Sequence, residues 1–416
     1  MVKFLHTADW HLGIKYAQLG PKADIARKIR METIKRLLET ARERNVDFIL
    51  VAGDLFDSND VDSKIIHEVC SDLSGTYLPV YILPGNHDPL TRDSPYNNPI
   101  WDAAENIHIL KEAEPLDIQD NVTLYPCPVN QKQSQSDPTE WINPENNHIS
   151  IGLAHGNLQI PGFTDESNFP INPRRADISN LDYLALGEWH SFFQYEKCTV
   201  YPGTPETTKF GENTSGNVVF VDIERSEDLN IEAVKTIKTV TPNIDSVKAN
   251  GPTNLTIEPV KVGKLNWETM NVNITSLEDV ENLENTLKTT LNPDYTILNL
   301  KLKGVVGQDA FDYLEHLNVK DLFFFNLKTD ELYLKPNMLE FKAMIPEGSY
   351  VPRTFKALMA LMKYDPMTQE LSSISPEDAE EIFKDIKDVD SIQNASPEVL
   401  KRASLMLYQM VKAVSQ

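Results

Sequence analysis

FILVAGD, residues Phe48–Asp54, runs from five consecutive apolar side chains straight into a glycine and a carboxylate. A short unbroken apolar run closed by a turn signal reads as a strand buried on both faces. The same grammar recurs on either side of it. Val2–Leu5 leads to Asp9-Trp10-His11, and Val80–Leu83 leads to Gly85-Asn86-His87-Asp88. Ile149–Ala154 leads to His155-Gly156, and Tyr183–Leu186 leads to Gly187-Glu188-Trp189-His190. Between the early strands the periodicity turns helical: residues 23–45 put Ile34, Leu37, Leu38 and Ala41 on one face, and a second helix covers about 62–74. Val218–Val221 is a further strand. This alternation predicts an α/β sheet with helices on its faces. Strand ends in such sheets converge on one rim, so side chains far apart in sequence can meet there. Asp, His and Asn supply the oxygen and nitrogen ligands that suit manganese, iron or zinc. Four of the nine histidines (His11, His87, His155 and His190) fall inside these motifs, a concentration that unrelated surface turns do not explain.

At 416 residues the chain exceeds one ordinary domain. Its net charge of −23 counts against a free-standing DNA-binding module, because phosphate-tracking surfaces carry basic stripes. Bound cations would invert that charge locally, and a basic partner subunit could supply the remaining attraction. No run approaches the ~18 apolar residues that span a bilayer, and MVKFLHTADWH lacks the pattern of a signal peptide. The expectation is a cytoplasmic protein. Cys70, Cys127 and Cys198 show no paired spacing, against a disulfide framework or a cysteine zinc site.

The series DxH, GD, GNHD, H, GxxH resembles the metallophosphoesterase superfamily. The strings FLHTADWHLG, VAGDLFDS, LPGNHDPL and YPGTPETTKFGE resemble its SbcD/YhaO-type DNA-exonuclease branch. The likeness is specific over about residues 1–225 and extends to 256–340 only by order and general character. It implies a four-layer β-sandwich flanked by helices, and two divalent metal ions, manganese first, with magnesium, iron or zinc as alternatives. By matching position, Asp9, His11 and His190 would hold one ion; Asn86, His155 and residue 188 would hold the other, with Asp54 bridging. His87 would stabilise developing charge and assist the leaving 3′ oxygen. Asp57 matches a position that orients His87 or the substrate, or it simply caps the turn after its strand. The family usually has histidine where this chain has Glu188. A carboxylate can still ligate a hard ion, so Glu188 is expected to coordinate, changing metal preference or weakening the second site; the alternative is that it points away and leaves an asymmetric or single-metal centre.

Three regions are expected: 1–240 carrying the nuclease motifs, a small α+β capping unit over 256–342, and a helical region over 350–416. In the last, Ser375-Pro376-Glu377 and Ser396-Pro397-Glu398 read as helix starts. Residues 129–147 read as a polar surface loop. Phe355, Leu358, Met359, Leu361 and Met362 could dock on a partner or pack within a helical domain. The resemblance implies DNA as substrate, a homodimer and an SbcC-like coiled-coil ATPase partner, with no membrane association. Arg92, Arg174, Arg175 and Lys209 are the local candidates for phosphate contacts. Tyr201 and Phe210 could stack on a base or fill the core. His6 could pack beneath the site, and His67, His108, His148 and His316 read as structural or solvated. The same centre could instead serve a small-molecule phosphodiesterase or phosphatase, since fold and metals do not fix the substrate. A non-catalytic subunit is a third reading, disfavoured by the joint presence of Asp9, His11, Asp54, Asn86, His87, His155 and His190.

Overall fold

The computed structural model describes residues 1–145, 148–161, 168–225, 253–317, 322–336 and 396–415, with Met344, Val351 and Thr354 besides. Contacts divide the chain into Met1–Trp267 and Glu268–Gln416. The first unit opens with β1 (Val2–Thr7), α1 (Ala23–Glu43), β2 (Phe48–Ala52), α2 (Ser63–Ser74), β3 (Val80–Leu83) and β4 (Ile107–Ile109). There follow β5 (Leu116–Gln119), β6 (Val122–Cys127), β7 (Ile149–His155), β8 (Asn157–Leu158), β9 (Pro170–Ile171) and α3 (Arg175–Ile178). It closes with β10 (Tyr183–Gly187), β11 (Phe193–Tyr195), β12 (Thr199–Tyr201), β13 (Asn217–Arg225) and β14 (Thr253–Lys261).

These strands build two six-stranded sheets, ordered β14-β13-β1-β2-β3-β4 and β11-β12-β10-β7-β6-β5. In the first, β1 to β4 run parallel, and β13 and β14 join antiparallel beyond β1. In the second, β6, β7, β10 and β12 run parallel. All five residues of β2 are buried, because one face meets the helices and the other meets the second sheet. Ile49 and Val51 pack with Leu37, Leu38, Val69 and Leu73 of α1 and α2. Phe48, Leu50 and Ala52 enter the layer shared with Ile151, Leu153, Tyr183 and Ala185 of the second sheet. A third cluster lies on the other side of that second sheet, under α3, where Leu184 and Leu186 meet Ile171, Ala176 and Leu181. The sandwich is therefore flanked by two long helices on one side and, among the described residues, by a single helical turn and loops on the other. Residues 129–145 carry no helix or strand, as expected of a polar loop.

The boundary expected at 256 falls inside a strand. β14 pairs with β13 along its whole length, from Thr253 opposite Arg225 to Lys261 opposite Asn217. It reads as a new beginning because it follows a change of composition, yet its half-buried Leu255 and Ile257 alternate with exposed neighbours, as on a sheet edge. Pro259 fits there, since an edge strand can spare an N–H.

The second unit contains β15 (Asn266–Ile274, which spans the boundary), α4 (Leu277–Thr290), β16 (Thr296–Val306), α5 (Gln308–Glu315), β17 (Phe324–Leu334) and α6 (Pro397–Ser415). Its sheet runs β15-β16-β17, and α4 starts with a capping box between Ser276 and Asp279. Leu283, Leu287, Leu298, Leu300 and Leu314 form its core. The α+β character and the helix start at Ser396-Pro397 match expectation. The start at Ser375, and Phe355, Leu358, Met359, Leu361 and Met362, lie outside the described residues.

Candidate metal centre

Every polar motif sits at the carboxyl end of a parallel strand: Asp9 and His11 after β1, Asp54 after β2, Asn86 and His87 after β3, His155 as the last residue of β7, and Glu188 and His190 after β10. The two sheets pack face to face, so their rims meet. Two close approaches fix the turns. A Cβ on Gly85 would collide with the Asp54 carboxylate, and one on Gly187 would collide with the Ala52 carbonyl. The backbone also enters the left-handed region at Asp9 (φ 54°), His11 (φ 43°), Asp54 (φ 52°) and Glu188 (φ 109°). Non-glycine residues seldom adopt this conformation unless their surroundings hold them there. Here the Asp9 N–H donates to the Gly53 carbonyl and the His11 N–H to the Asp54 carbonyl. The Glu188 N–H donates to the Asp9 carboxylate, 3.1 and 3.2 Å from its two oxygens.

Two donor clusters result. In the first, Asp9, His11 and His190 bring their ligand atoms within 4.8 Å of one another, and the His11 and His190 Nε2 atoms lie 2.9 Å apart. The second is built round His155, whose Nε2 lies 2.9 Å from Glu188 Oε2, 3.1 Å from Asn86 Oδ1 and 3.5 Å from Asp54 Oδ2. Asp54 also reaches the first cluster, with Oδ2 3.9 Å from His11 Nε2, while Oδ1 accepts the His87 N–H at 2.9 Å. The seven residues expected to hold metal are thus brought together, with Asp54 between the clusters.

The electrostatics fit divalent cations. Asp9 is fully buried, and burial is the main cause that pushes its carboxyl up to about 7, against the pull of His155 and His190. A nearby cation would hold it ionised. His155 Nδ1 sits 2.9 Å from the Ala52 carbonyl, which can only accept, so Nδ1 carries a proton. Its Nε2 then faces three oxygens. Without a cation the ring must take a second proton: burial opposes this, but Asp54 and Glu188 outweigh burial and raise its pKa well above the usual range. A metal ion satisfies the same arrangement with a neutral ring. Asp54 is likewise held below the usual carboxylate range, because His155, His11 and His87 overcome its burial. His11 is pushed down to about 4, chiefly by burial, which keeps its ring neutral.

The remaining expected residues take distinct places. His87 is exposed at the mouth of the site, and its Nδ1 lies 2.9 Å from the Asp57 carbonyl. The Asp57 carboxylate turns to His11 instead, with Oδ1 3.4 Å from Nδ1. Asp57 therefore steadies His87 through its backbone and sets its carboxylate beside the His11 ring. Arg175 is buried against Asp137 and offers no free phosphate contact, whereas Arg92, Arg174 and Lys209 are exposed. Tyr201 is a core residue whose hydroxyl accepts from the Leu158 N–H and donates to the Gly156 carbonyl. Phe210 meets Trp267 edge-on. His6 lies between the sheets with Nδ1 3.0 Å from the Tyr183 hydroxyl.

Two residues inside the quoted motifs take roles that the sequence does not reveal. Glu212 Oε1 lies 2.6 Å from His190 Nδ1, and the same carboxylate accepts from the Thr208 hydroxyl and N–H. Burial alone would raise its pKa, but the contacts to His190 and Thr208 prevail and hold it down at about 2. Asp88 is fully buried and accepts from Gly85, Phe56 and Tyr96, which locks the loop that presents Asn86 and His87.

Comparison with known proteins agrees with this geometry. A family model described as calcineurin-like phosphoesterase matches residues 2–220, which include every residue of the centre. The uncharacterized metallophosphoesterase YhaO of Bacillus subtilis is 24% identical over 245 residues, covering 54% of this chain and 58% of that protein. The SbcD component of the SbcCD nuclease of Escherichia coli is 34% identical over 90 residues, 21% of each chain. The DNA double-strand break repair protein Mre11 of Archaeoglobus fulgidus is 35% identical over 96 residues, 22% of this chain and 20% of that one. The chain thus matches less than two thirds of the length of each of these relatives. With a family model that spans more than half its length, the chain belongs to the calcineurin-like phosphoesterase family.

Proposed function

We propose that the protein is a metal-dependent DNA nuclease that hydrolyses phosphodiester bonds at a two-cation centre. The observation that carries this reading is the pair of donor clusters sharing Asp54, with His87 exposed at their mouth. Asp9, His11 and His190 would hold one ion, Asn86, His155 and Glu188 the other, and Asp54 both. Manganese is the first candidate, with magnesium, iron or zinc as alternatives. When bound, two such ions supply a water of lowered pKa and positive charge on the attacking and leaving oxygens of an in-line displacement. The chain does the rest. His87 Nδ1–H donates a hydrogen bond to the Asp57 carbonyl, which leaves Nε2 for the substrate. In its protonated form that nitrogen stabilises charge on the phosphoryl group and protonates the departing 3′ oxygen. Asp57 and Glu212 hold the His11 and His190 rings in ligating orientation.

The likeness to SbcD, part of a nuclease, and to Mre11, a DNA double-strand break repair protein, supports DNA as the substrate. The same reading makes this chain the nuclease component of an SbcC–SbcD-like complex, a cytoplasmic homodimer working with a coiled-coil ATPase that supplies basic surface. No helix of the described residues is long and apolar enough to cross a membrane. A second reading, a phosphodiesterase for a small phosphorylated molecule, is favoured by the net charge of −23. Cleavage of labelled single- and double-stranded DNA beside bis(p-nitrophenyl) phosphate separates the two, with manganese or a chelator and a His87→Ala control. DNA cutting that needs manganese and drops about 100-fold or more in the control is the expected result. Turnover of the small ester alone, even with an ATPase partner added, would give the site to the second reading.

A further inference from the structure

The two donor clusters are not chemically equivalent. Round His155, one nitrogen faces three oxygens, at 2.9 Å from Glu188, 3.1 Å from Asn86 and 3.5 Å from Asp54. The other cluster offers two imidazole nitrogens 2.9 Å apart, with the carboxylates of Asp9 and Asp54. Neighbouring ligands of one ion with bonds of about 2.1 Å stand roughly 3 to 3.4 Å apart, close to the separation of the Glu188 and Asn86 oxygens from the His155 nitrogen. Glu188 does not reach that position by chance of rotamer alone. Its backbone is set by Gly187 against the Ala52 carbonyl, and its N–H is tied to the Asp9 carboxylate. Its side chain is four-fifths buried. Oxygen-rich sets favour hard ions such as manganese and magnesium, whereas imidazole suits zinc and iron.

We infer that Glu188 makes the His155 position a hard, oxygen-dominated cation site, so that the two positions of one centre differ in metal preference. The His155 position favours manganese or magnesium, and the His11–His190 position accepts the more nitrogen-seeking zinc or iron. The inference rests on the two-cation reading of the centre and not on DNA as the substrate. Its competitor is a centre in which Glu188 only neutralises a protonated His155 and ligates nothing.

The test uses the full chain stripped by a chelator and then titrated with Mn2+ and Zn2+, singly and in competition. Stoichiometry is read by native mass spectrometry and affinity by calorimetry. The wild type is expected to bind two Mn2+ ions. Glu188→Gln, which keeps the shape and removes the charge, is expected to weaken one of the two by about tenfold or more and to leave the other unchanged. Glu188→His is expected to keep two ions but to lower the ratio of manganese to zinc affinity at one position, again by about tenfold or more. Unchanged manganese binding in Glu188→Gln, an unchanged ratio in Glu188→His, or a single ion throughout would each overturn the inference. Circular dichroism of the stripped proteins confirms that the variants fold. A DNA assay in parallel keeps the two ideas apart: intact DNA with the expected binding pattern would sink the nuclease reading and leave the metal asymmetry standing.

Discussion

His6 lies only three residues before Asp9, yet the alternation of β1 turns it into the inter-sheet layer beside Tyr183. Burial pushes its pKa down to about 3, and a backbone contact at Leu186 offsets only part of that. The folded chain therefore refuses a proton that the unfolded chain accepts below about 6.5. Stability contributed by the neutral ring is complete above that pH and is lost as pH falls toward 3, at roughly 1.4 kcal/mol per unit. Urea denaturation of the metal-free protein should show a smaller loss between pH 6.5 and 5 in His6→Gln than in the wild type, by about 2 kcal/mol. Equal slopes would mean that His6 takes up its proton in the folded state. Glu212 shows the opposite case of legibility. The proposed ligands could be found in the sequence because each closes a strand or follows one within four residues. The partner of the His190 ring lies 22 residues further on in a polar segment, where any glutamate looks alike. The string YPGTPETTKFGE marks the segment, but only the folded chain shows which of its carboxylates turns inward.

Among the elements, α1 does more than cover the sheet. Its Arg30 is almost fully buried and donates to the Trp10 carbonyl, the Tyr16 hydroxyl and the Glu206 carbonyl, each at 2.6 Å. Trp10 stands between the proposed ligands Asp9 and His11, and Glu206 opens the segment that carries Thr208 and Glu212. One guanidinium thus braces both sides of the first donor cluster. Replacing it with Met leaves several buried carbonyls unpaired, each costing about 1–3 kcal/mol. Arg30→Met should lose about 3 kcal/mol or more of stability and weaken metal binding, whereas Glu39→Gln on the exposed face of the same helix should stay within about 0.5 kcal/mol. Denaturant titration with and without Mn2+ checks both. The hydrophobic stripe of α1 is plain in the sequence. Arg30 is not, because a periodicity of apolar residues cannot show that a cation on the same face has carbonyls waiting for it. β14 escapes for a related reason: pairing with β13, which ends at Arg225 while β14 begins only at Thr253, is a long-range event that local pattern does not report.

At the scale of the molecule, every residue of the centre lies before residue 213, and the contact boundary falls after Trp267. Trp267 itself packs on Tyr16 and Phe210 within the first unit. A chain ending at Trp267 should fold and bind manganese with an affinity close to that of the full chain. A chain ending at 240 lacks β14 and exposes the length of β13 as an unpaired edge. It should melt several degrees lower and aggregate more readily, which thermal denaturation with light scattering would show. Similar melting of the two truncated chains would mean that β14 adds little to the sheet.

The left-handed backbone at Asp9, His11, Asp54 and Glu188 bears on attempts to move this chemistry elsewhere. A protein designer who copied the ligand side chains onto regular strand ends would obtain the right atoms on the wrong vectors. The transplant would need the bends themselves, with Gly85 and Gly187 clearing the space behind them and two facing sheets to absorb the conformational cost. The portable unit is the rim of the sandwich rather than the list of its ligands.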